Sequence, residues 1–138
     1  MTSYRVFVSH GSADRWVATQ IVRRIREDTG ANTFLDVFDV EKGDDIEQKI
    51  FSELPSCDEL VALLTPGASM RNWVWVEIGA ARALNKRVVA VLYGVSLGEL
   101  EQDKGGKACL NSTNVADINE METYLQELKR RVSETADD

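Results

Sequence analysis

The sequence predicts an α/β fold built on an open, doubly wound parallel sheet, and two features of the chain support this prediction. Short β-branched or apolar runs alternate with longer segments whose apolar residues recur every three or four positions, as in amphipathic helices. Two of the strand-like runs, Glu59–Leu64 and Arg87–Tyr93, are almost continuously apolar, which is typical of parallel strands covered by helices on both sides. The order βαβαβαβαβα therefore indicates a five-stranded parallel sheet.

The first half of the chain supplies two predicted strands and two predicted helices. The strands are the β-branched and aromatic runs Arg5–Ser9 and Thr33–Leu35. An apolar repeat of four residues predicts a helix between them, from about Ala13 to Glu27. A second repeat of this kind begins at Ile46, and Pro55 ends the helix that it predicts.

The second half continues the alternation. A helix is predicted from about Met70 to Leu84, between the two apolar strands. The pattern weakens between Gly94 and Ser112, where we expect mainly loop. A short fifth strand, Asn114–Ile118, then precedes an amphipathic helix over Met121 to Val132. We expect residues 1–138 to form a single domain in which Ser133–Asp138 is a polar tail.

Composition excludes several classes of function. The net charge is −7 and the sequence pI is about 4.8, which argues against general binding to nucleic acid or to an anionic membrane. No apolar run approaches the roughly 20 residues that span a bilayer, and the N-terminus lacks the layout of a signal peptide. Cys57 and Cys109 form neither a disulfide framework nor a zinc spacing. We therefore expect a cytoplasmic protein that holds no metal.

Glu77 is the most informative residue for function. On a helix, an exposed glutamate usually has Lys or Arg three or four positions away, but apolar residues occupy those positions around Glu77. Trp73 precedes it by one helical turn, so that the indole and the carboxylate would share a face. In a doubly wound sheet, ligands bind beyond the carboxyl ends of the strands. The start of the third predicted helix lies at that edge, which places Trp73 and Glu77 near a ligand site.

Four segments, in order over about Tyr4–Tyr93, carry a resemblance to a known family. Tyr4–His10 forms a strand ending in Ser-His, and Phe34–Asp36 followed by Gly43 and Ile46 forms a second strand with a loop. Leu64–Gly67 forms a turn with proline, and Trp73–Glu77 reads W-x-x-x-E. Together these segments resemble the Toll/interleukin-1 receptor (TIR) domain, and W-x-x-x-E is the motif of TIR domains that cleave NAD.

The chain departs from the usual family pattern at three places. Arg5 stands where the family usually has Asp, and His10 stands where it usually has Tyr. The loop after the second strand, called the BB loop in this family, has Lys42-Gly43 without the common preceding proline. The contacts of the BB loop differ among TIR domains, whereas the Trp73 and Glu77 pair is intact here.

The resemblance implies a fold, an activity and partners. The fold would be flavodoxin-like, with helices on both faces of the five-stranded sheet. The activity would be that of an NAD+ nucleosidase or ADP-ribosyl cyclase, with NAD+ as substrate and no separate cofactor. The product would be a signal in bacterial antiphage immunity, read by a separate effector protein. Self-association would occur through the BB loop and neighbouring helices.

The family's site can be carried over residue by residue. Glu77 would stabilise the oxocarbenium-like ribose formed when nicotinamide leaves, as glycosidase carboxylates do, and its apolar setting should raise its pKa. Trp73 would stack on a ring of the dinucleotide, with cation–π attraction to oxidised nicotinamide. The first turn would hold phosphates through backbone N–H groups, and the BB loop would contact the substrate. The predicted substrate-binding residues are Trp73, Ser9, His10, Gly11, Ser12, Phe38 and Gly43.

Each assignment has a plainer alternative. Glu77 could pair with a distant Arg or Lys, Trp73 could be a core residue, and the first turn could be a helix cap with a surface imidazole at His10. The whole domain could be a non-catalytic TIR–TIR interaction module, or an enzyme like the nucleoside deoxyribosyltransferases. A receiver domain is disfavoured, because the third predicted strand ends in Leu64-Thr65 without a phosphoacceptor Asp.

Overall fold

The five-stranded parallel sheet predicted from the sequence is confirmed. The computed structural model describes residues 4–35, 52–66, 72–96, 98 and 114–136. All strand pairs are parallel, in the order β2-β1-β3-β4-β5. The strands are β1 Arg5–Ser9, β2 Asn32–Leu35, β3 Glu59–Leu64, β4 Arg87–Leu92 and β5 Asn114–Asp117; the α-helices among the described residues are α1 Arg15–Thr29, α2 Asn72–Ala83 and α3 Met121–Ala136.

The helix boundaries differ from the prediction by a few residues, for local reasons. A 3₁₀ turn, Ser12–Asp14, precedes α1, and α1 ends where Gly30 adopts a left-handed φ of 78° and its N–H bonds to Arg26. The final helix continues to Ala136 and takes up part of the predicted polar tail. Ser52 and Glu53 are helical before a 3₁₀ turn containing Pro55, and the rest of the predicted second helix lies outside the described residues.

Both faces of the sheet are covered, as the continuous apolar strands predict. Alternate residues of β3 and β4 point to opposite faces, and each face has its own buried core. On one face the strands pack against α2, through Val74, Ile78 and Ala81. On the other face they pack against α1 and α3. This two-sided arrangement and the strand order give a flavodoxin-like topology.

The strand order also fixes where a ligand site is expected. In a 2-1-3-4-5 sheet, the connections leave β1 and β3 in opposite directions, which opens a crevice at the carboxyl ends of these two strands. Ser9 is the last residue of β1 and pairs in register with Ala62 of β3. Thr65 follows the last residue of β3. The first turn of the chain and the start of α2 both lie at this edge.

A buried ionic cluster at the opposite end of β3 was not predicted from the sequence. Glu59, the first residue of β3, is fully buried. Its Oε1 accepts hydrogen bonds from the Tyr4 hydroxyl at 2.5 Å and from Arg131 Nε at 3.0 Å. Its Oε2 accepts from the Tyr124 hydroxyl at 2.6 Å and from Arg131 Nη2 at 3.2 Å. Four donors therefore satisfy this carboxylate, as a structural role requires.

Because of this cluster, we expect the free energy of unfolding to fall as the pH rises into the alkaline range. Burial, followed by the nearby charge of Glu59, raises the pKa of Tyr124 well above its ordinary value of 10.0. The unfolded chain loses this phenolic proton near pH 10, while the folded chain keeps it. The stabilisation is therefore complete below about pH 10 and is lost as the pH rises further, by about 1.4 kcal/mol per pH unit.

The comparison of wild type with Tyr124→Phe isolates this effect. We expect urea unfolding between about pH 8 and 11 to show a steeper fall in the free energy of unfolding for the wild type than for the variant. Tyr4 remains in both proteins, and burial raises its pKa above 10.0 as well, so the variant should still lose some stability. Parallel curves would show that Tyr124 does not cause the pH dependence.

Candidate active site

Glu77 is a fully buried carboxylate on the sheet-facing side of α2. Its relative exposure is 0%, and the apolar residues Val74, Ile78 and Ala81 on the same side of the helix are equally buried. The observed helix confirms that Trp73 precedes Glu77 by one turn, although the Trp73 side chain lies outside what the structure describes. The prediction of a carboxylate on an apolar helix face is confirmed for Glu77.

The Glu77 carboxylate is held from β1. The Ser9 hydroxyl donates a hydrogen bond to Glu77 Oε1 at 2.8 Å, and the two residues are 68 positions apart in the sequence. Both side chains have an exposure of 0%. Phe7, two residues before Ser9, packs in the same core as Val74 of α2, so the alternation of β1 directs Ser9 to the α2 face. The described hydrogen-bond donor to Glu77 Oε1 is therefore a neutral hydroxyl.

His10 is buried, so the interpretation of a surface imidazole is wrong. Its exposure is 0%, and its Nδ1 lies 2.6 Å from the carbonyl oxygen of Gly11. A carbonyl only accepts hydrogen bonds, so Nδ1 must carry the proton. In the neutral ring, Nε2 is then an acceptor, and it is buried without a hydrogen-bond partner among the described residues. The neutral ring would therefore pair through Nε2 with a hydrogen-bond donor such as a hydroxyl.

Asp14 places a negatively charged side chain at the first turn. It is the N-cap residue of α1, but its side chain does not cap the helix. Its Oδ2 instead accepts a hydrogen bond from the Thr65 hydroxyl at 2.5 Å, which ties the end of β3 to the start of α1. A carboxylate at this position opposes an anion at the helix N-terminus, which weighs against a phosphate at that point. The backbone N–H of Asp14 is also occupied, because it bonds to Gly11 O at 3.0 Å.

The structure brings together some of the predicted site residues and leaves others undescribed. Ser9 and Glu77 are in direct contact, and His10 and Gly11 form the adjoining buried turn. Nothing is described of the Ser12 side chain. Phe38 and Gly43, predicted in the BB loop, lie outside the described residues.

Two contacts at this edge were missed by reasoning from the sequence. The bond between Thr65 and Asp14 joins residues 51 positions apart, and no local pattern marks such a pair. The sequence does carry an indication of the bond between Ser9 and Glu77. Ser9 lies two residues after the core residue Phe7, so the two side chains point to the same face of the sheet. In the described part of the chain, no group of three or more His, Cys, Asp or Glu side chains is arranged to hold a metal ion.

The fold and the site define a flavodoxin-like α/β domain with a buried carboxylate beside the carboxyl ends of β1 and β3. A family model described as TIR domain matches residues 6–131. The chain therefore belongs to the TIR domain family, as the four sequence segments indicate.

Three known proteins show how far the likeness extends. A Brachypodium distachyon protein described as a probable 2′ cyclic ADP-D-ribose synthase, BdTIR, is 26% identical over 99 residues, which cover 70% of this chain and 44% of that relative. The chain thus matches less than half the length of this curated relative. The TIR domain of the Toll-related receptor TRR-2 from Hydra magnipapillata has a TM-score of 0.63 at 17% identity, covering 96% of this chain and 99% of that one.

A third likeness extends beyond TIR domains. The Clostridium botulinum CMP N-glycosidase BcmB has a TM-score of 0.55 at 19% identity, covering 90% of this chain and 97% of that chain. At these identities the two structural likenesses show the fold alone. Among the described residues, no helix has the length and apolar content needed to cross a membrane.

Proposed function

We propose that this TIR domain cleaves NAD+ between nicotinamide and ribose, with Glu77 as the catalytic carboxylate. The observation that carries the proposal is the fully buried Glu77 carboxylate, held by the Ser9 hydroxyl beside the edge of the sheet where ligands of this topology bind. Membership in the TIR family supports it. The relative described as a probable 2′ cyclic ADP-D-ribose synthase supports the same class of substrate.

The proposed reaction breaks the bond between ribose C1′ and the nicotinamide nitrogen. The electron pair of this bond leaves with nicotinamide, which becomes neutral, and the positive charge moves to C1′ and the ring oxygen. A buried carboxylate stabilises that charge strongly, because little water screens the attraction. Attack on C1′ by water gives ADP-ribose, whereas attack by a group within the same molecule gives a cyclic product. Either route releases one proton.

The leaving group explains why one carboxylate suffices. Ordinary glycosidases need a second carboxyl group to protonate the leaving oxygen. Nicotinamide leaves as a stable neutral molecule, so no acid is needed for its departure. Glu77 then has a single role, which is to stay anionic beside the ribose.

In this proposal, the remaining predicted site residues contact the substrate. Trp73, one turn before Glu77 on α2, would stack on a ring of the substrate. The acceptor atom Nε2 of His10 suits a substrate hydroxyl. Backbone groups of Gly11 and Ser12, together with Phe38 and Gly43 of the BB loop, complete the proposed set. NAD+ acts as substrate, and the proposal involves no separate cofactor. By family resemblance, the product would act as a cytoplasmic signal in bacterial antiphage immunity, read by a separate effector.

The test is the initial rate of base release from two substrates. Purified protein is incubated with NAD+ or with CMP, at dilute concentration and under conditions that promote self-association, and the released base is measured by chromatography. The proposal predicts release of nicotinamide that exceeds release of cytosine. Faster cleavage of CMP would instead identify a nucleotide N-glycosidase, and no release from either substrate under any condition would contradict catalysis.

A second candidate function, self-association, is favoured by one exposed surface. Trp16 on α1 is 73% exposed, the largest exposure among the described large hydrophobic residues. It borders a groove of about 400 Å³ between α1 and α3, which is also lined by the apolar residues Val17, Ile21, Met121 and Leu125. An exposed indole beside an apolar groove is typical of an interface anchor. We propose that a second copy of the chain covers this surface.

Replacement of Trp16 by alanine is expected to weaken self-association by about 30-fold or more, since interface tryptophans of this kind contribute about 2 kcal/mol or more. Light scattering over a series of protein concentrations measures the effect. Leu84→Ala is the matched control, because Leu84 is 44% exposed but lies after α2, away from the groove. Equal association of wild type and Trp16→Ala would exclude this surface as the interface.

A further inference from the structure

Two glutamates of the described chain are fully buried, at opposite ends of the sheet. Glu59, at the amino end of β3, accepts four hydrogen bonds, two of them from the guanidinium of Arg131. Glu77, at the opposite edge, accepts its described hydrogen bond at Oε1 from the Ser9 hydroxyl. A guanidinium offsets the charge of a carboxylate, whereas a hydroxyl orients it and leaves the net charge in place. The Ser9 contact therefore orients the Glu77 carboxylate without offsetting its charge.

Ser9 lies in a buried strand whose pairing with its neighbours sets its position. It ends β1, which pairs with β2 on one side and with β3 on the other, and its register partner is Ala62. The preceding residues Phe7 and Val8 are completely buried. The last bond of a glutamate side chain rotates with little preference of its own, so a fixed donor on one oxygen restricts where the other oxygen points.

We propose that Ser9 is a positioning residue for Glu77: its hydroxyl fixes the rotation of the buried carboxylate and so aims Oε2 at the substrate ribose. This inference rests on the proposed function, and it changes the role of Ser9 from a substrate contact to a support of the catalytic group. Catalytic groups must be held within about 0.5 Å of the productive geometry by residues of this kind.

The test compares Ser9→Ala with Ser9→Thr, which keeps the hydroxyl, and with Ser56→Ala as control. Ser56 is exposed, and its hydroxyl bonds to Arg5 and to the Glu53 carbonyl near the amino end of β3. We expect Ser9→Ala to lower kcat for nicotinamide release by about 10- to 100-fold with little change in KM, because the carboxylate is misplaced. Ser9→Thr should restore most of the rate, and Ser56→Ala should match the wild type. All rates are corrected for the folded fraction, measured by circular dichroism.

A titration separates a positioning role from simple packing. A hydroxyl that donates to a carboxylate favours its ionised form, so removal of the hydroxyl raises the pKa of the carboxyl group. The carbon-13 signal of the Glu77 carboxyl group can be assigned in labelled protein, because it is missing from the spectrum of Glu77→Gln. We expect this signal to titrate with a higher midpoint in Ser9→Ala than in the wild type. The acid limb of the pH–rate profile should also shift to higher pH in Ser9→Ala.

The outcomes for Ser9 and for the proposed function are distinguishable. If Glu77→Gln releases nicotinamide at the wild-type rate, the proposed function fails. If Glu77→Gln is inactive while Ser9→Ala keeps both the wild-type rate and the wild-type midpoint, the inference on Ser9 alone is overturned. The titration decides the role of Ser9 even where turnover is undetectable: an unchanged midpoint contradicts it, and a raised midpoint supports it.

Discussion

Replacement of Glu77 by glutamine is expected to lower the rate of nicotinamide release from NAD+ by about 100-fold or more. Glutamine has nearly the same shape and can still accept a hydrogen bond from Ser9, so the fold and the pocket should persist. It lacks the negative charge, and the attraction to the positive ribose of the transition state is lost. Because the site is buried, water cannot replace that attraction. Initial rates at saturating NAD+ measure the loss.

Two further variants make this prediction specific. Glu77→Asp keeps the charge but shortens the side chain, so its rate should lie between those of wild type and Glu77→Gln. Glu134→Gln, an exposed position on α3, makes the same chemical change far from the site and should leave the rate unchanged. A fully active Glu77→Gln would mean that the buried carboxylate has only a structural role.

Replacement of Arg131 by alanine is expected to lower the free energy of unfolding by about 3 kcal/mol. Removing one partner of a buried ion pair leaves the other charge without compensation, which typically costs about 3–5 kcal/mol. The lower end applies here because the Arg131 side chain is 19% exposed, while that of Glu59 is fully buried. Tyr4 and Tyr124 would still donate to Glu59, but they supply no positive charge. Urea unfolding at neutral pH measures the change.

The neighbouring Arg130 provides the control for this prediction. It lies on the same helix and is exposed, so Arg130→Ala should change the free energy of unfolding by less than about 0.5 kcal/mol. Similar effects from the two alanine variants would contradict the assignment of Glu59 and Arg131 as a structural ion pair. The comparison also separates the structural glutamate from the proposed catalytic one.

The sheet was predictable because the amino-acid composition of its strands reflects how deeply they are buried. β3 and β4 are buried on both faces, which requires nearly continuous apolar runs and leaves few other interpretations. Helix ends were less accurate, since they depend on turns such as Ser12–Asp14 rather than on periodicity. Glu59 was missed because a charged first residue of a strand usually lies in solvent, and its partner Arg131 is 72 positions away.

The site was predictable in part. The absence of charged helical neighbours predicted that Glu77 is unusual, and its burial confirms this. The contact with Ser9 depends on α2 packing against the face to which Ser9 points, which is a property of the three-dimensional arrangement. For His10, the sequence could not show that the turn buries the ring and that Gly11 fixes its proton on Nδ1.

The central claim is that Glu77 catalyses cleavage of NAD+ between nicotinamide and ribose. The most direct measurement is mass spectrometry of the products that equal amounts of folded wild type and Glu77→Gln form from NAD+. We expect nicotinamide together with ADP-ribose or a cyclic isomer in the wild-type reaction, and unreacted NAD+ with the variant. The same products in equal amounts from both proteins, or none from either, would contradict the account.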